Sequence, residues 1–310
     1  MAPRLTIGSR GSRLALWQAE QARDRLILLN PGFEIRIDVI KTTGDVKQDP
    51  LSVIGGKGVF TKELEDALLD KRIDIAVHSL KDLPTIVPES LVISAICERE
   101  DPRDALVLRT DHSFRSLREL RPGSVVGTSS QRRLAQLKAL RRDLDVKDLR
   151  GNVDTRVRKL DEGQYDALIL ASAGLIRLGL RNRISAALEP VEMLPAVGQG
   201  AIAIETRADD LVSVTATSKL NHRETALACR AERAFLRSLG GGCQFPIAAH
   251  ATIVDRGLSL EGLVARPNGE EILRDRLAGD PDQADSIGSQ LGQRLLERGA
   301  ASLLNEGRDV

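Results

Sequence analysis

The sequence predicts an α/β protein of more than one domain, closed by a smaller α+β segment. Three observations carry this. Short apolar or period-two strands alternate with amphipathic helices up to about residue 205, two polar crossing segments interrupt the alternation, and the pattern changes after Asn221. A chain of 310 residues also has room for two or three cores at roughly 100 to 200 residues per domain.

The first strand is 4-RLTIG-8, followed by a helix in which Leu14, Trp17, Ala22, Leu26 and Leu29 keep approximate helical spacing until 30-NPG-32 ends it. Phe33, Ile35, Ile37 and Val39 then alternate with Glu34, Arg36 and Asp38, which is the period of a strand. Beyond the loop 41-KTTGD-45, the glycine-rich 55-GGKG-58 leads into a helix over 61-TKELEDALLD-70. Ile73, Ile75 and Val77 form the next strand, which runs straight into 78-HSLKDLP-84. This grammar predicts a largely parallel sheet.

The charged 98-EREDPRD-104 reads as the first crossing. A second set of units follows: a strand at Val125 and Val126, helix N-caps in 128-TSS-130, a helix over 131-QRRLAQLKALRR-142, and a strand at 145-DVKDL-149. A turn and helix over 150-RGNVDTRVRKLDEG-163 and a buried strand at 167-ALIL-170 complete it. The second crossing, 195-PAVGQG-200, precedes a strand at 201-AIAIE-205, so the chain leaves the first domain and returns to it. The helix 222-HRETALACRAERAFLRSLG-240 then opens the α+β segment, with strands near 246–254 and 258–266 and a last helix over much of 283–304. These boundaries divide the chain into domain 1 (1–98 and 200–219), domain 2 (99–199) and domain 3 (220–310).

Composition narrows the partners. Lys and Arg number 45 against 44 Asp and Glu, so bulk charge gives no reason to capture nucleic acid or an anionic membrane. Aromatics are 2% of residues, too few for a base-stacking surface. No apolar run is long enough to span a bilayer and the first twenty residues lack a signal-peptide core, so an intracellular, cytoplasmic protein is expected. The three cysteines, Cys97, Cys229 and Cys243, have no paired spacing, and the four histidines are dispersed. Neither a disulfide framework nor a metal site is expected.

Basic residues recur where α/β domains bind ligands, at strand C-termini and the helix starts after them. Arg10 and Arg13 follow the first strand, Lys81 the strand ending at Val77, Arg132 and Arg133 the capping serines, and Arg150 and Arg156 bracket the next helix start. The planar guanidinium matches a carboxylate with two parallel hydrogen bonds. One such arginine would be ordinary surface decoration; repetition over several junctions points to an anionic ligand between two domains. Within this basic set Asp82 is the acid to single out: Pro84 restricts Leu83 before it to extended conformations, and neighbouring cations favour the ionised carboxylate. In 240-GGGCQFPI-247 three glycines permit positive φ and close approach, so Cys243 either packs or reacts. The segment 55-GGKG-58 lacks the spacing of a phosphate-binding P-loop.

These stretches together resemble the porphobilinogen deaminase, or hydroxymethylbilane synthase, family. The resemblance runs through 8-GSRGSRLALWQA-19, 55-GGKGVFTKELE-65, 76-AVHSLKDLP-84, 97-CEREDPRDA-105, 127-GTSSQRR-133, 149-LRGNVDTR-156, 173-AGLIRLGL-180, 194-LPAVGQGAIAIE-205 and 241-GGCQFPI-247. Any one would be weak; their joint order is specific. The resemblance implies two periplasmic-binding-protein-like (type II) α/β domains with a cleft between them and a small C-terminal α+β domain. It implies a transferase that condenses four porphobilinogen molecules into 1-hydroxymethylbilane with release of ammonia. The implied cofactor is a dipyrromethane primer held by a thioether at Cys243.

By the same resemblance Asp82 is the catalytic carboxylate, placed to bind pyrrole N–H groups and stabilise positive charge. Arg10, Ser12, Lys81, Arg132, Arg133, Arg150, Arg156 and Arg177 are implied to hold the acetate and propionate arms of cofactor and substrate. Ser79, Thr128, Ser129 and Ser130 are added hydrogen-bond donors, and Lys57 and Phe60 lie in a loop expected to cover the site. Porphobilinogen is the expected small-molecule partner, the chain is expected to be a monomer, and neither nucleic acid nor membrane is a partner. The family often has Gln-Ser-Pro where this chain has 11-GSR-13, and glycine at Asp154, which leaves the roles of Arg13 and Asp154 open. Two rival readings remain: a solute-binding protein of the same two-lobed build, which gives no reason for Cys243, and a cysteine-nucleophile transferase, which would want a base such as His222 or His250 near it.

Overall fold

Alternating burial builds the first sheet. The structure, a computed structural model, describes residues 3–42, 61–109, 116–242 and 244–305. Strand β1 (Arg4–Ser9) feeds helix α1 (Arg13–Leu29), and β2 (Glu34–Val39) follows. Helix α2 (Lys62–Leu69) leads to β3 (Ile75–Ser79), a 3-10 turn over Leu80–Asp82, and β4 (Leu91–Ile96). Leu5, Ile7, Ile75 and Val77 pack on Ala19, Ala22 and Leu26 of α1, while Leu64, Ala67 and Leu68 of α2 pack with Ile73 and Ala76.

The chain continues through β5 (Asp104–Leu108), β6 (Val125–Gly127), α3 (Gln131–Leu140), β7 (Asp145–Lys147) and α4 (Val153–Asp161). Next come β8 (Ala167–Ala171), α5 (Ser172–Arg177) and β9 (Ala186–Leu188). It then returns as β10 (Ile202–Arg207) and α6 (Leu211–Ser218). Two five-stranded sheets result, with orders β2-β1-β3-β10-β4 and β7-β6-β8-β5-β9.

The two orders correspond strand for strand. In the first, β1 lies parallel to β2 and β3, and β10 is antiparallel to β3 and β4; in the second, β6 lies parallel to β7 and β8, and β5 is antiparallel to β8 and β9. The sheets are therefore largely parallel, as expected, each with one reversed strand, β10 in the first and β5 in the second. The reason is connectivity: a βαβ crossover makes a parallel neighbour, whereas β5 and β10 are each delivered by a crossing segment without a helix to turn the chain round. This arrangement is that of the two type II α/β domains expected from the sequence.

The last part holds α7 (Arg223–Ser238), β11 (Ile247–Val254), β12 (Gly257–Ala265), β13 (Ile272–Gly279), α8 (Ala284–Glu297) and α9 (Ala300–Asn305). The three strands form an antiparallel meander. Strand β13 was not foreseen, because 272-ILRDRLAG-279 is charge-rich and half-exposed and shows no clean apolar alternation. The single helix expected over 283–304 is two helices, separated at Arg298 and Gly299.

The chain divides into two compact units, Met1–Glu100 with Ala201–Leu227, and Asp101–Gly200 with Ala228–Val310. The second unit thus groups most of what the sequence divides into domains 2 and 3. Within it Ala135 of α3 and Leu194 share a buried cluster with Ala248, Leu263 and Ala265 of the meander. Among the described residues no helix is long and apolar enough to cross a membrane.

Candidate functional site

In the first unit the informative corner is the end of β3. The strand ends at Ser79 and the 3-10 turn Leu80–Asp82 follows, with the Leu80 amide bonded to the Ala201 carbonyl at 3.0 Å. Leu80 is buried, which leaves Lys81 and Asp82 half-buried at the rim of the turn. A cavity of about 70 Å³ lies against it, lined by Asp82, Ser79, His78, Arg10, Ser12 and Thr61, among others. The volume has room for part of a pyrrole bearing its two acid arms, with acceptor and donors on the same wall.

Each neighbour of this cavity is set by its element. Arg10 lies between β1 and α1, and Ser12 caps α1, its hydroxyl accepting from the Ala15 amide at 3.3 Å. Ser79 exchanges hydrogen bonds with the buried Gln18 amide, whose Nε2 donates to Ser79 Oγ at 2.9 Å. His78 lies 3.0 Å from Glu205 of β10, both shut away from solvent. The Glu65 carboxyl on α2 is pushed above the ordinary glutamate range, first by burial and further by Glu205, against the lowering effects of Thr61 and His78.

The second unit presents its basic residues differently. Arg132 and Arg133 open α3 and both turn onto Asp104, the first residue of β5: Arg132 Nη1 donates to Oδ2 at 2.6 Å and Arg133 Nη2 to Oδ1 at 2.7 Å. Their other donors reach the carbonyls of Leu194 (2.9 Å) and Ile169 (3.0 Å), and Gln199 Nε2 adds a bond to Asp104 at 2.9 Å. Asp104 is fully buried, which by itself would raise its pKa; the two guanidiniums overcome burial and hold it well below the usual carboxylate range. Burial lowers the Arg133 pKa, with Asp104 opposing. The triad keeps a net positive charge.

The other predicted residues of this unit are placed as follows. Arg177 is buried with Nη2 on the Gly200 carbonyl at 2.6 Å, Arg150 pairs with Asp148 at 2.9 Å, and Arg156 Nε donates to the Gly151 carbonyl at 2.6 Å. Ser130 is the N-cap residue of α3 but makes no side-chain capping bond; its amide donates to Thr128 Oγ1 at 3.3 Å, and the Ser129 hydroxyl donates to the Leu149 carbonyl. The expectation that 128-TSS-130 caps the helix through its side chains is corrected: these hydroxyls serve the loop instead.

Cys243, Lys57 and Phe60 lie outside the described residues. On the way to Cys243, Gly240 has φ +62°, a conformation L side chains rarely adopt, and a Cβ on Gly241 would collide with the Ile247 side chain. Of these glycines Gly240 answers a backbone requirement and Gly241 a packing one.

Sequence reasoning missed Asp104, Gln18, Gln199 and Glu205. The signal for Asp104 was present, since an acid opens the otherwise apolar run 104-DALVL-108, whose five residues are all buried. A polar residue on an apolar face is the informative exception. Gln18 is of the same kind, a buried amide on the inner face of α1.

The donor set fits a pyrrole chain with acid arms. Asp82 presents an acceptor, and Arg10, Ser12 and Ser79 line the same cavity with groups able to donate. In the second unit Arg132 Nε and the Ser172 hydroxyl at the start of α5 are buried without partners, which an acetate or propionate oxygen would satisfy.

Comparison with known proteins gives one answer. The profile described as "Porphobilinogen deaminase, dipyromethane cofactor binding domain" matches residues 5–214, and "Porphobilinogen deaminase, C-terminal domain" matches residues 226–297. A porphobilinogen deaminase of Chromobacterium violaceum is 50% identical over 302 residues, and one of Syntrophobacter fumaroxidans is 49% identical over 303, each covering 97% of both chains. Among solved structures, the methionine-binding protein MetQ has a TM-score of 0.43 at 15% identity, covering 70% of this chain and 89% of that one. Matched along nearly its whole length at half identity, the chain belongs to the porphobilinogen deaminase family.

Proposed function

We propose that this chain carries out the family's condensation of porphobilinogen with Asp82 as its catalytic carboxylate and Cys243 as the attachment point of the dipyrromethane cofactor. The observation that carries the reading is the Asp82 corner: a carboxylate presented by a short turn to a cavity whose wall also holds Arg10, Ser12 and Ser79. The cofactor, when bound, supplies a nucleophilic pyrrole carbon and a permanent anchor for the growing chain.

The residues of this chain then do three things. Asp82 accepts the pyrrole N–H of porphobilinogen and stabilises the positive charge that develops on that ring as ammonia departs. A unit charge at about 4 Å contributes roughly 4 kcal/mol at an effective dielectric near 20, or on the order of a thousandfold in rate. Arg10, Ser12, Ser79 and Lys81 hold the acid arms near this carboxylate, and Arg150, Arg156 and Arg177, with Thr128, Ser129 and Ser130, hold those of the growing chain. Arg132 and Arg133 act with Asp104 behind them, which fixes their guanidiniums and leaves one net positive charge for an incoming carboxylate.

We also propose a transferase acting as a monomer in the cytoplasm, with residues from 220 onward as a third domain that carries the anchor. The test is the intact mass of the purified protein with peptide mapping across residues 237–250. A mass above the 33.7 kDa chain by two linked pyrrole units, mapped to Cys243 and lost in Cys243→Ser, supports the reading. If no adduct forms even after incubation with porphobilinogen, the attachment at Cys243 is wrong.

A further inference from the structure

The cavity beside Asp82 has a second titratable side chain in its wall. His78 lies four residues before Asp82, at the end of β3, and lines the same cavity. Its Nε2 is 3.0 Å from Glu205 Oε2, and the two side chains are 3% and 0% exposed. β3 and β10 run antiparallel with His78 opposite Ala203 and Ala76 opposite Glu205, so the contact is a diagonal one across a single face of the sheet. Helix α2 packs beside this face, where Ala76 shares a buried cluster with Leu64, Ala67 and Leu68, and it brings Glu65 close to both groups.

Glu205 has little else to hold it. Its second oxygen, Oε1, is buried without a hydrogen-bond partner. A carboxyl group shut from water is expensive unless a strong hydrogen bond compensates it, and for Glu205 that bond is the one to His78. The Glu65 carboxyl, itself raised by burial and by Glu205, adds no positive charge that could replace it. The histidine therefore fastens β3 to β10 one residue before the strand hands over to Ser79 and the Leu80–Asp82 turn. A second fastening, the Leu80 amide on the Ala201 carbonyl, lies on the same boundary.

We propose that His78 is a positioning residue for Asp82: its hydrogen bond to Glu205 fixes the end of β3, so that the turn after it presents the Asp82 carboxylate to the cavity in one geometry. This rests on the reading of Asp82 as the catalytic carboxylate. Misplacing a catalytic group by about 1 Å can cost on the order of a hundredfold, and such a loss appears in kcat when substrate binding is made elsewhere.

The experiment measures kcat and KM for porphobilinogen with His78→Ala, His78→Gln, Glu205→Ala and Asp82→Asn, each shown by intact mass to carry its covalent primer. His78→Ala is expected to lower kcat by about tenfold or more while KM stays within about threefold. His78→Gln, whose amide can still donate to Glu205, is expected to recover most of that loss. Wild-type kcat in His78→Ala, a change confined to KM, or a glutamine variant no better than alanine overturns the proposal. Should His78→Ala fail to load its primer, Glu205→Ala decides: it removes the whole buried carboxyl group that His78 holds, and unchanged kcat there overturns the proposal equally. Asp82→Asn separates the two levels. If it turns over normally, the reading of Asp82 itself falls; if it is inactive while His78→Ala is normal, only the positioning role falls.

Discussion

Asp82 and Asp104 are the same residue type, each beside one of two similar α/β sheets, yet they are committed differently. Asp82 follows the end of β3 on a one-turn 3-10 segment, half-buried against an open cavity. Asp104 begins β5, is fully buried, and is bound by two guanidiniums and an amide. The first carboxylate, on the reading proposed above, acts on something that arrives; the second is consumed in holding Arg132 and Arg133. Function resides where a charge is left to be completed by ligand, and stability where it is already completed by protein.

The largest effects should fall on opposite observables. Asp82→Asn should lose on the order of a thousandfold in turnover while its melting curve stays close to wild type, since a half-buried turn residue has little packing to lose. Steady-state kinetics beside thermal denaturation checks this, and wild-type-like turnover would remove Asp82 from the mechanism. Asp104→Asn should do the reverse first: it leaves two buried guanidiniums uncompensated and should cost about 3 kcal/mol or more of stability by denaturant titration. A variant as stable as wild type would show that Asp104 contributes no net stability through its two guanidiniums.

Acid sharpens the contrast. The Asp104 carboxyl is depressed in the folded protein, so its contribution to stability is present above the ordinary aspartate range and is lost as pH falls below that range toward the folded value. Below about pH 4 the wild type should therefore lose stability more steeply than Asp104→Asn. A smaller effect is expected of Gln199→Ala, which removes one hydrogen bond to Asp104 and should cost about 1 to 2 kcal/mol.

The smallest effect belongs to the first unit. Glu65 is raised in the folded state, so the fold favours its protonated form; its contribution is most favourable below the ordinary glutamate value and turns unfavourable as pH rises through the folded one. Glu65→Gln, which mimics the neutral form, should raise the melting temperature at neutral pH by no more than a few degrees and lose that advantage below about pH 4. An unchanged or lowered melting temperature at neutral pH would show that the carboxylate is well accommodated where it stands.

How much of this was legible follows the range of the forces involved. The period-two runs gave β1, β2, β3 and β10, and helical spacing gave α1, α2 and α7 within a few residues, because local periodicity reports which face is buried. Strand β13 stayed hidden because one of its faces is wet and charged. Strand β5 was not foreseen, and the reversed run of β10 depends on how the chain arrives. At the site, 78-HSLKDLP-84 identified Asp82 as a rigid acid among cations, but nothing local showed that Arg132 and Arg133 share a buried aspartate 28 and 29 residues upstream.

The sequence by itself determined the family, the α/β class, the candidate acid Asp82 and the candidate anchor Cys243, because ordered motifs and local periodicity are properties of neighbouring residues. Only the tertiary structure decided which charges are spent and which are left over. The pairing of His78 with Glu205 joins residues 127 apart and that of Gln18 with Ser79 joins residues 61 apart. Whether a buried charge is compensated depends on groups that meet only once the sheets have formed, since hydrogen bonds act over about 3 Å whatever the separation along the chain.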